Sequence, residues 1–222
     1  MVKALVLRSA GVNCNDELQK AFELAGATAE QVHINDIISG KKKLADYDIL
    51  ALPGGFSYGD YISAGTILAN QLTRKLKKEM DKFVKAGKLV IGICNGFQVL
   101  VKTGYLPGTL TNNDSGRFEC RWVKLTGIME IDVPVAHGEG KYVADEKTLK
   151  ELEENNQIIF RYSQSSYPQN PNGSMKDIAG ICSKDGKIIG IMPHPERNLT
   201  SENYDGEGLK LFKKIIERGG IR

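Results

Sequence analysis

The stretch Lys88-Leu-Val-Ile-Gly-Ile-Cys-Asn-Gly-Phe-Gln98 constrains this chain more than any other. Leu89, Val90, Ile91 and Ile93 form a short apolar run rich in β-branched residues, the pattern of a strand buried on both faces of a parallel sheet. The run stops at Cys94, and Phe97, Leu100 and Val101 then recur at helical spacing. Cys94 is therefore predicted on a sharp strand-to-helix turn, with Gly92 and Gly96 leaving room for a tight backbone. Such a turn lifts its side chain above the sheet, where the free N–H groups of the helix start favour an anionic sulfur. A cysteine can also end a core strand as a small hydrophobe, but that role needs no flanking glycines.

The 222 residues are long enough for a full core and are most simply one domain, 1–222. Thirty basic side chains against 27 acidic ones leave a net charge of only +3, with no basic run interleaved with aromatics. Nucleic acid is therefore not expected as a partner. The lysine clusters at 41–43 and 75–78 read as solvated faces. The four cysteines, Cys14, Cys94, Cys120 and Cys182, lie far apart with no C-x-x-C, which argues against a zinc ribbon or a dithiol redox site. No metal site is expected. No apolar run approaches the roughly 20 residues of a membrane helix, and the start of the chain does not read as a signal peptide. A cytoplasmic location with reduced thiols, and no membrane partner, is expected.

Taken in order, Lys3 to Arg8 suits a first buried strand, and Asn13 or Asn15 can cap a helix through Leu18, Phe22 and Leu24. Cys14 sits at that helix entry, which an ordinary turn explains. Glu30–Ile34 and Tyr47–Leu52 read as strands, the latter emptying into Pro53-Gly-Gly-Phe-Ser-Tyr-Gly-Asp60. Ligand sites of open α/β sheets gather at the carboxyl ends of strands, so this glycine loop and the Cys94 turn are expected to meet. Residues 66–85 have the spacing of one long amphipathic helix. The resulting order predicts an α/β fold, a three-layer, mostly parallel sheet flanked by helices. From Gly104 to Pro134 the pattern alternates, suggesting an antiparallel edge region. Residues 145–155 read as a charged helix, Ile158–Tyr162 as a strand and Ser163–Ser174 as a surface loop. Ile178–Cys182 and Lys187–Met192 pair as a hairpin across Asp185-Gly186, and a helix from Gly208 to Arg218 follows.

A cysteine nucleophile works with a histidine that takes and returns protons and that a carboxylate or amide orients. Of the three histidines, His33 falls inside a predicted strand with no acid behind it and reads as structural. His137-Gly-Glu139 and His194-Pro-Glu196 carry the same local pattern, a carboxylate two residues beyond the imidazole. The second is favoured, because prolines on both sides of His194 stiffen its loop while the His137 loop reads as flexible.

Gly92-Ile-Cys-Asn-Gly-Phe-Gln98 together with Pro193-His-Pro-Glu196 resembles a class I (triad) glutamine amidotransferase. Leu52-Pro-Gly-Gly-Phe-Ser-Tyr-Gly-Asp60, Val12-Asn-Cys-Asn-Asp-Glu17, Arg117-Phe-Glu-Cys-Arg-Trp-Val123 and Val135-Ala-His-Gly-Glu-Gly140 narrow the resemblance to the glutaminase subunits of phosphoribosylformylglycinamidine synthases, enzymes of purine biosynthesis. The resemblance implies that Cys94 is the nucleophile, His194 the base and Glu196 its orienting acid. It implies an oxyanion hole of the Gly55 and Asn95 backbone N–H groups, with Gly54, Gln98 and His137 near the glutamine. It also implies no cofactor in this chain, since ATP and Mg²⁺ would be used by a large synthetase partner accompanied by a small accessory subunit. The absence of a G-x-x-x-x-G-K-[ST] phosphate loop accords with that division of labour. Arg117–Arg121 and the Ser163–Ser174 loop are candidate docking surfaces. The competing readings are a glutaminase for another synthetase, a stand-alone thiol hydrolase and a silent regulatory module.

Overall fold

The computed structural model describes residues 1–201 and 204–221. In chain order its elements begin β1 (Lys3–Arg8), α1 (Asn15–Leu24), β2 (Thr28–His33), α2 (Ile34–Ile38), β3 (Ile49–Leu52), α3 (Thr66–Lys75), α4 (Lys77–Lys85), β4 (Leu89–Ile93) and α5 (Asn95–Lys102). There follow β5 (Thr109–Thr111), β6 (Glu119–Gly127), β7 (Ile131–His137), β8 (Lys141–Val143), α6 (Glu146–Glu154), β9 (Ile158–Tyr162), β10 (Ile178–Cys182) and β11 (Ile188–Ile191). The last are β12 (Thr200–Ser201), β13 (Tyr204–Asp205) and α7 (Glu207–Arg218).

Nine strands form one sheet in the order β2-β1-β3-β4-β11-β10-β9-β6-β7. The first five run parallel, and the remaining pairs are antiparallel. The antiparallel edge region thus takes in four strands, β10, β9, β6 and β7, and joins the parallel part through the expected hairpin of β10 and β11. Two short pairs, β5 with β8 and β12 with β13, stand outside this sheet.

The centre of the sheet is built to receive the elbow helix. Every residue of β3, β4 and β11 is buried, as their unbroken apolar sequences require. In the register of β4 with β11, Gly92 lies opposite Gly190. A β-carbon on Gly190 would fall 2.1 Å from Phe97, and one on Gly92 would fall 2.5 Å from the Gly96 carbonyl oxygen. The paired glycines therefore clear a trough into which the first turn of α5 drops. Gly96 completes the fit, since its own β-carbon would meet the Leu52 carbonyl oxygen at 2.0 Å. Phe97 is fully buried in this trough, and truncating such a side chain typically costs about 3–5 kcal/mol. Across the sheet, Phe22 of α1 meets Phe212 of α7 edge-on, with centroids 5.3 Å apart.

Four local expectations differ from the structure. The long helix over 66–85 is two helices, α3 and α4, broken at Leu76 (φ −122°, ψ 11°), because the break lets Leu72, Leu76, Met80 and Phe83 all stay buried. The strand expected over Glu30–Ile34 runs from Thr28 to His33, since Ile34 already begins α2, and the one expected from Tyr47 starts at Ile49. The Ser163–Ser174 loop is only partly a surface loop. Asn170, Asn172 and Ser174 are buried and hydrogen-bonded. His33 has the structural role expected of it, accepting the Asn35 N–H at 3.2 Å as the cap of α2.

Candidate active site

Four chain segments meet at the carboxyl ends of β1, β3, β4 and β11. They are the loop around Cys14, the glycine loop after Leu52, the Cys94 turn and the His194 turn. Cys94 has φ 49° and ψ −106°, a conformation costly for a residue with a side chain and held by the strand before it and the helix after it. Its N–H donates to Ile191 O at 2.8 Å, and its thiol approaches Ala136 O at 3.7 Å. As the first residue of α5, Asn95 has a backbone N–H with no intrahelical acceptor.

His194 is buried where β11 gives way to a one-turn 3₁₀ helix over Pro195–Arg197, and its N–H donates to Pro134 O at 2.9 Å. Its Nδ1 lies 2.6 Å from Glu196 Oε1, also buried. Burial disfavours the imidazolium, yet Glu196 and then Cys94 outweigh it and raise the His194 pKa well above the ordinary value. His194 Nε2 and Glu196 Oε2 are buried with no partner among the described residues. Gly54 is the point around which the groups gather. A β-carbon there would lie 2.8 Å from His194 Cε1, 3.4 Å from Cys94 Cβ and 3.2 Å from Cys14 Sγ. Only a residue without a side chain leaves this space open between sulfur and imidazole.

The next residue, Gly55, has φ 134° and forms an isolated antiparallel bridge with Val12. The neighbouring N–H groups of Asn13, Cys14 and Phe56 close that bridge, leaving the Gly55 N–H outside it. Gly55 and Asn95 thus present backbone donors from the two loops that flank Cys94.

His137 and Gln98 are placed differently from Cys94 and His194. His137 ends β7, 3% exposed, with Nδ1 3.1 Å from Asn113 Oδ1 and Nε2 buried without a partner among the described residues. Burial, reinforced by nearby His194, lowers its pKa to about 3. Its loop is not the flexible one expected. Asn113 donates to His137 O and accepts from Gly140 N–H, while Asn172 holds Gly140 O. Gln98 is buried too, with its Oε1 accepting from Asn95 at 3.0 Å and its Nε2 donating to Glu139 O at 2.6 Å. In this arrangement its amide braces the His137 loop.

Sequence reasoning missed Asp60, Asn113, Asn172 and Ser174, which tie these loops together. Asp60 stood inside the quoted glycine motif, but it accepts from Gly65 N–H five residues on and from the Asn95 side chain 35 residues on, and the second contact leaves no local signal. Cys14, which read as an ordinary helix entry, is buried beside the site. Its Sγ, His194 and Glu196 hold ligand-type atoms within 4.8 Å of one another, a donor set suited to a thiophilic cation. Arg197 Nη2, 3.0 Å from Cys14 Sγ, already brings a positive charge there. Arg121 of the candidate docking segment is paired with buried Glu119 and stacked on Tyr167.

A family profile described as a CobB/CobQ-like glutamine amidotransferase domain matches residues 1–213. The phosphoribosylformylglycinamidine synthase subunit PurQ of Methanococcus maripaludis strain S2 is 46% identical over 245 residues, covering 98% of this chain and 89% of that one. The chain belongs to the PurQ family of glutamine amidotransferases. Within the family, the Dehalococcoides mccartyi subunit PurQ is 42% identical, with 97% of each amidotransferase covered. Among solved structures, PurLQS from Thermotoga maritima matches with a TM-score of 0.81 and 35% identity over 98% of both chains. The amidotransferase has no helix, among the described residues, long and apolar enough to cross a membrane.

Proposed function

We propose that this chain is the glutamine-hydrolysing subunit of a phosphoribosylformylglycinamidine synthase, with Cys94 as nucleophile. The observation that carries the reading is the gathering of Cys94 and a Glu196-paired His194 on two sides of Gly54. The Cys94 sulfur, its thiol proton passed to His194 Nε2, attacks the side-chain amide carbon of L-glutamine. The developing oxyanion is met by the N–H groups of Gly55 and Asn95, a type of contact whose loss typically costs about 10²–10³ in rate. His194, held in one tautomer by Glu196, gives its Nε2 proton to the departing ammonia. The γ-glutamyl thioester is then hydrolysed by water, which His194 deprotonates, releasing glutamate and restoring the thiol.

Ammonia set free in water would be protonated and lost, so the product passes to a synthetase subunit that uses ATP and Mg²⁺ to convert formylglycinamide ribonucleotide to formylglycinamidine ribonucleotide. A small accessory subunit completes the complex, and no cofactor is assigned to this chain. The family's PurQ subunits and the PurLQS assembly support that division. The place of action is the cytoplasm. The test is glutamate release from glutamine by the purified chain alone and with the synthetase, nucleotide and ribonucleotide substrate added. Slow release that rises strongly in the full mixture is expected. Rapid release by the chain alone, unchanged by the partner, would instead mark a stand-alone hydrolase.

A further inference from the structure

The two proposed oxyanion donors, Gly55 and Asn95, belong to separate loops, so something must fix the gap between them. The Asn95 side-chain amide, 1% exposed, spans it. Its Oδ1 accepts from Ser57 N–H at 3.4 Å, and its Nδ2 donates to Asp60 Oδ1 at 3.2 Å. The same Asp60 oxygen accepts from Gly65 N–H at 3.0 Å, closing the loop between them onto the start of α3. One residue earlier, Ala64 N–H donates to Glu139 Oε2 at 3.1 Å, which links this loop to His137 as well.

Tyr58, Gly59 and Asp60 all have positive φ (56°, 72° and 50°), a run that the flanking hydrogen bonds must hold in place. Directly after Asp60, the large side chains of Tyr61 and Ile62 are 89% and 74% exposed. Phe56 and Phe118, half exposed with ring centroids 6.2 Å apart, add aromatic surface at the glycine loop. Burial raises the Asp60 pKa, with Glu139 adding to it, while Lys102, Gly65 and Asn95 oppose it.

We propose that Asp60 is a positioning residue for glutamine hydrolysis, and that the Tyr61-Ile62 pair beside it is the contact through which the synthetase subunit sets it. This rests on the reading of Cys94, Gly55 and Asn95 above. The occupant is the synthetase because whatever receives ammonia must seat over the loops around Cys94, and an apolar contact there presses on Asp60 with no intervening residue. The Asn95 amide then transmits the press to Ser57, two residues from Gly55. The requirement at Asp60 is for an oxygen acceptor aimed at two donors, so Asp60→Asn can meet it and Asp60→Ala cannot.

The assembled complex, supplied with either glutamine or an ammonium salt, tests this. For Asp60→Ala the expected result is a glutamine-driven kcat lowered about 30-fold, with KM within about twofold and ammonium-driven synthesis unchanged. Asp60→Asn should recover to within about threefold of native. Should Asp60→Ala not fold, Asp60→Ser, too short to reach both donors, carries the same expectation. A double Tyr61→Ser, Ile62→Ser variant should keep the slow hydrolysis of the isolated chain and lose at least tenfold of the stimulation by the synthetase. Native kcat in Asp60→Ala, a matching rise in KM, or an Asp60→Asn as impaired as Asp60→Ala overturns the positioning role. Full stimulation of the double variant overturns the contact. A native complex that uses ammonium but releases no glutamate from glutamine would overturn the functional reading itself.

Discussion

Two segments of this molecule share the pattern His-x-Glu and differ in almost everything the pattern was expected to confer. In His194-Pro-Glu196 the carboxylate turns back and grips its own imidazole at 2.6 Å, raising the histidine's pKa well above the ordinary value. In His137-Gly-Glu139 the carboxylate turns away to Ala64 N–H, the imidazole faces the neutral Asn113, and burial lowers its pKa to about 3. The same two residue types thus give a ring that holds a proton and one that refuses it. The difference comes from the backbone. A 3₁₀ turn starting at Pro195 folds Glu196 back over His194, whereas the extended end of β7 sends Glu139 onward to α3. The lesson is that a carboxylate near in sequence is an orienting group only where the intervening turn aims it.

The largest expected effect is at Cys94, which lies beside the His194 ring. Cys94→Ala should lower glutamine-dependent synthesis by about 10⁵-fold or more while leaving ammonium-dependent synthesis intact, as measured side by side in the complex. Retained use of glutamine would rule out Cys94 as the nucleophile. Next, His194→Ala should cost about 10⁴ in kcat, and His137→Gln no more than about tenfold. Equal losses in steady-state assays would mean that the two histidines are not functionally distinct.

Glu196→Gln sharpens the point, with an expected loss of about 10³ in kcat. It should also move the alkaline limb of the pH–rate profile downward. His194 keeps its proton up to its raised pKa, so activity that needs the imidazolium is lost as pH climbs through that value. Without the carboxylate, the loss comes at lower pH. The smallest effect is on stability. Folded His137 stays neutral down to about pH 3 while the unfolded chain binds a proton below about 6.5, so folding weakens as the solution is acidified. Between pH 7 and pH 5 this amounts to about 2 kcal/mol, and denaturant titrations of His137→Gln should show that share of the acid sensitivity removed.

Much of the fold was readable because its signals are local. The β-branched runs at Leu89–Ile93 and Ile188–Ile191, the glycines beside Cys94 and the Asp185-Gly186 turn each announce their conformation within a few residues. The break at Leu76 was not readable, since both helices keep the same apolar spacing and only packing against the sheet separates them. Nor was the bracing by Asn113, Asn172 and Asp60, because polar residues in loops look alike until burial and partners distinguish them. Cys14 looked like a helix entry, and it is one, yet the fold also brings Arg197 to its sulfur from 183 residues away.

Neighbouring residues alone place a cysteine at a strand-to-helix turn and offer two His-x-Glu segments to serve it, because backbone sterics and apolar periodicity act over short stretches of chain. The prolines around His194 favoured it, but the 2.6 Å grip of Glu196, the turning away of Glu139 and the gap at Gly54 between imidazole and sulfur exist only in the folded chain. Distances between residues a hundred positions apart, and the dielectric around them, come into being only when the sheet closes and expels water.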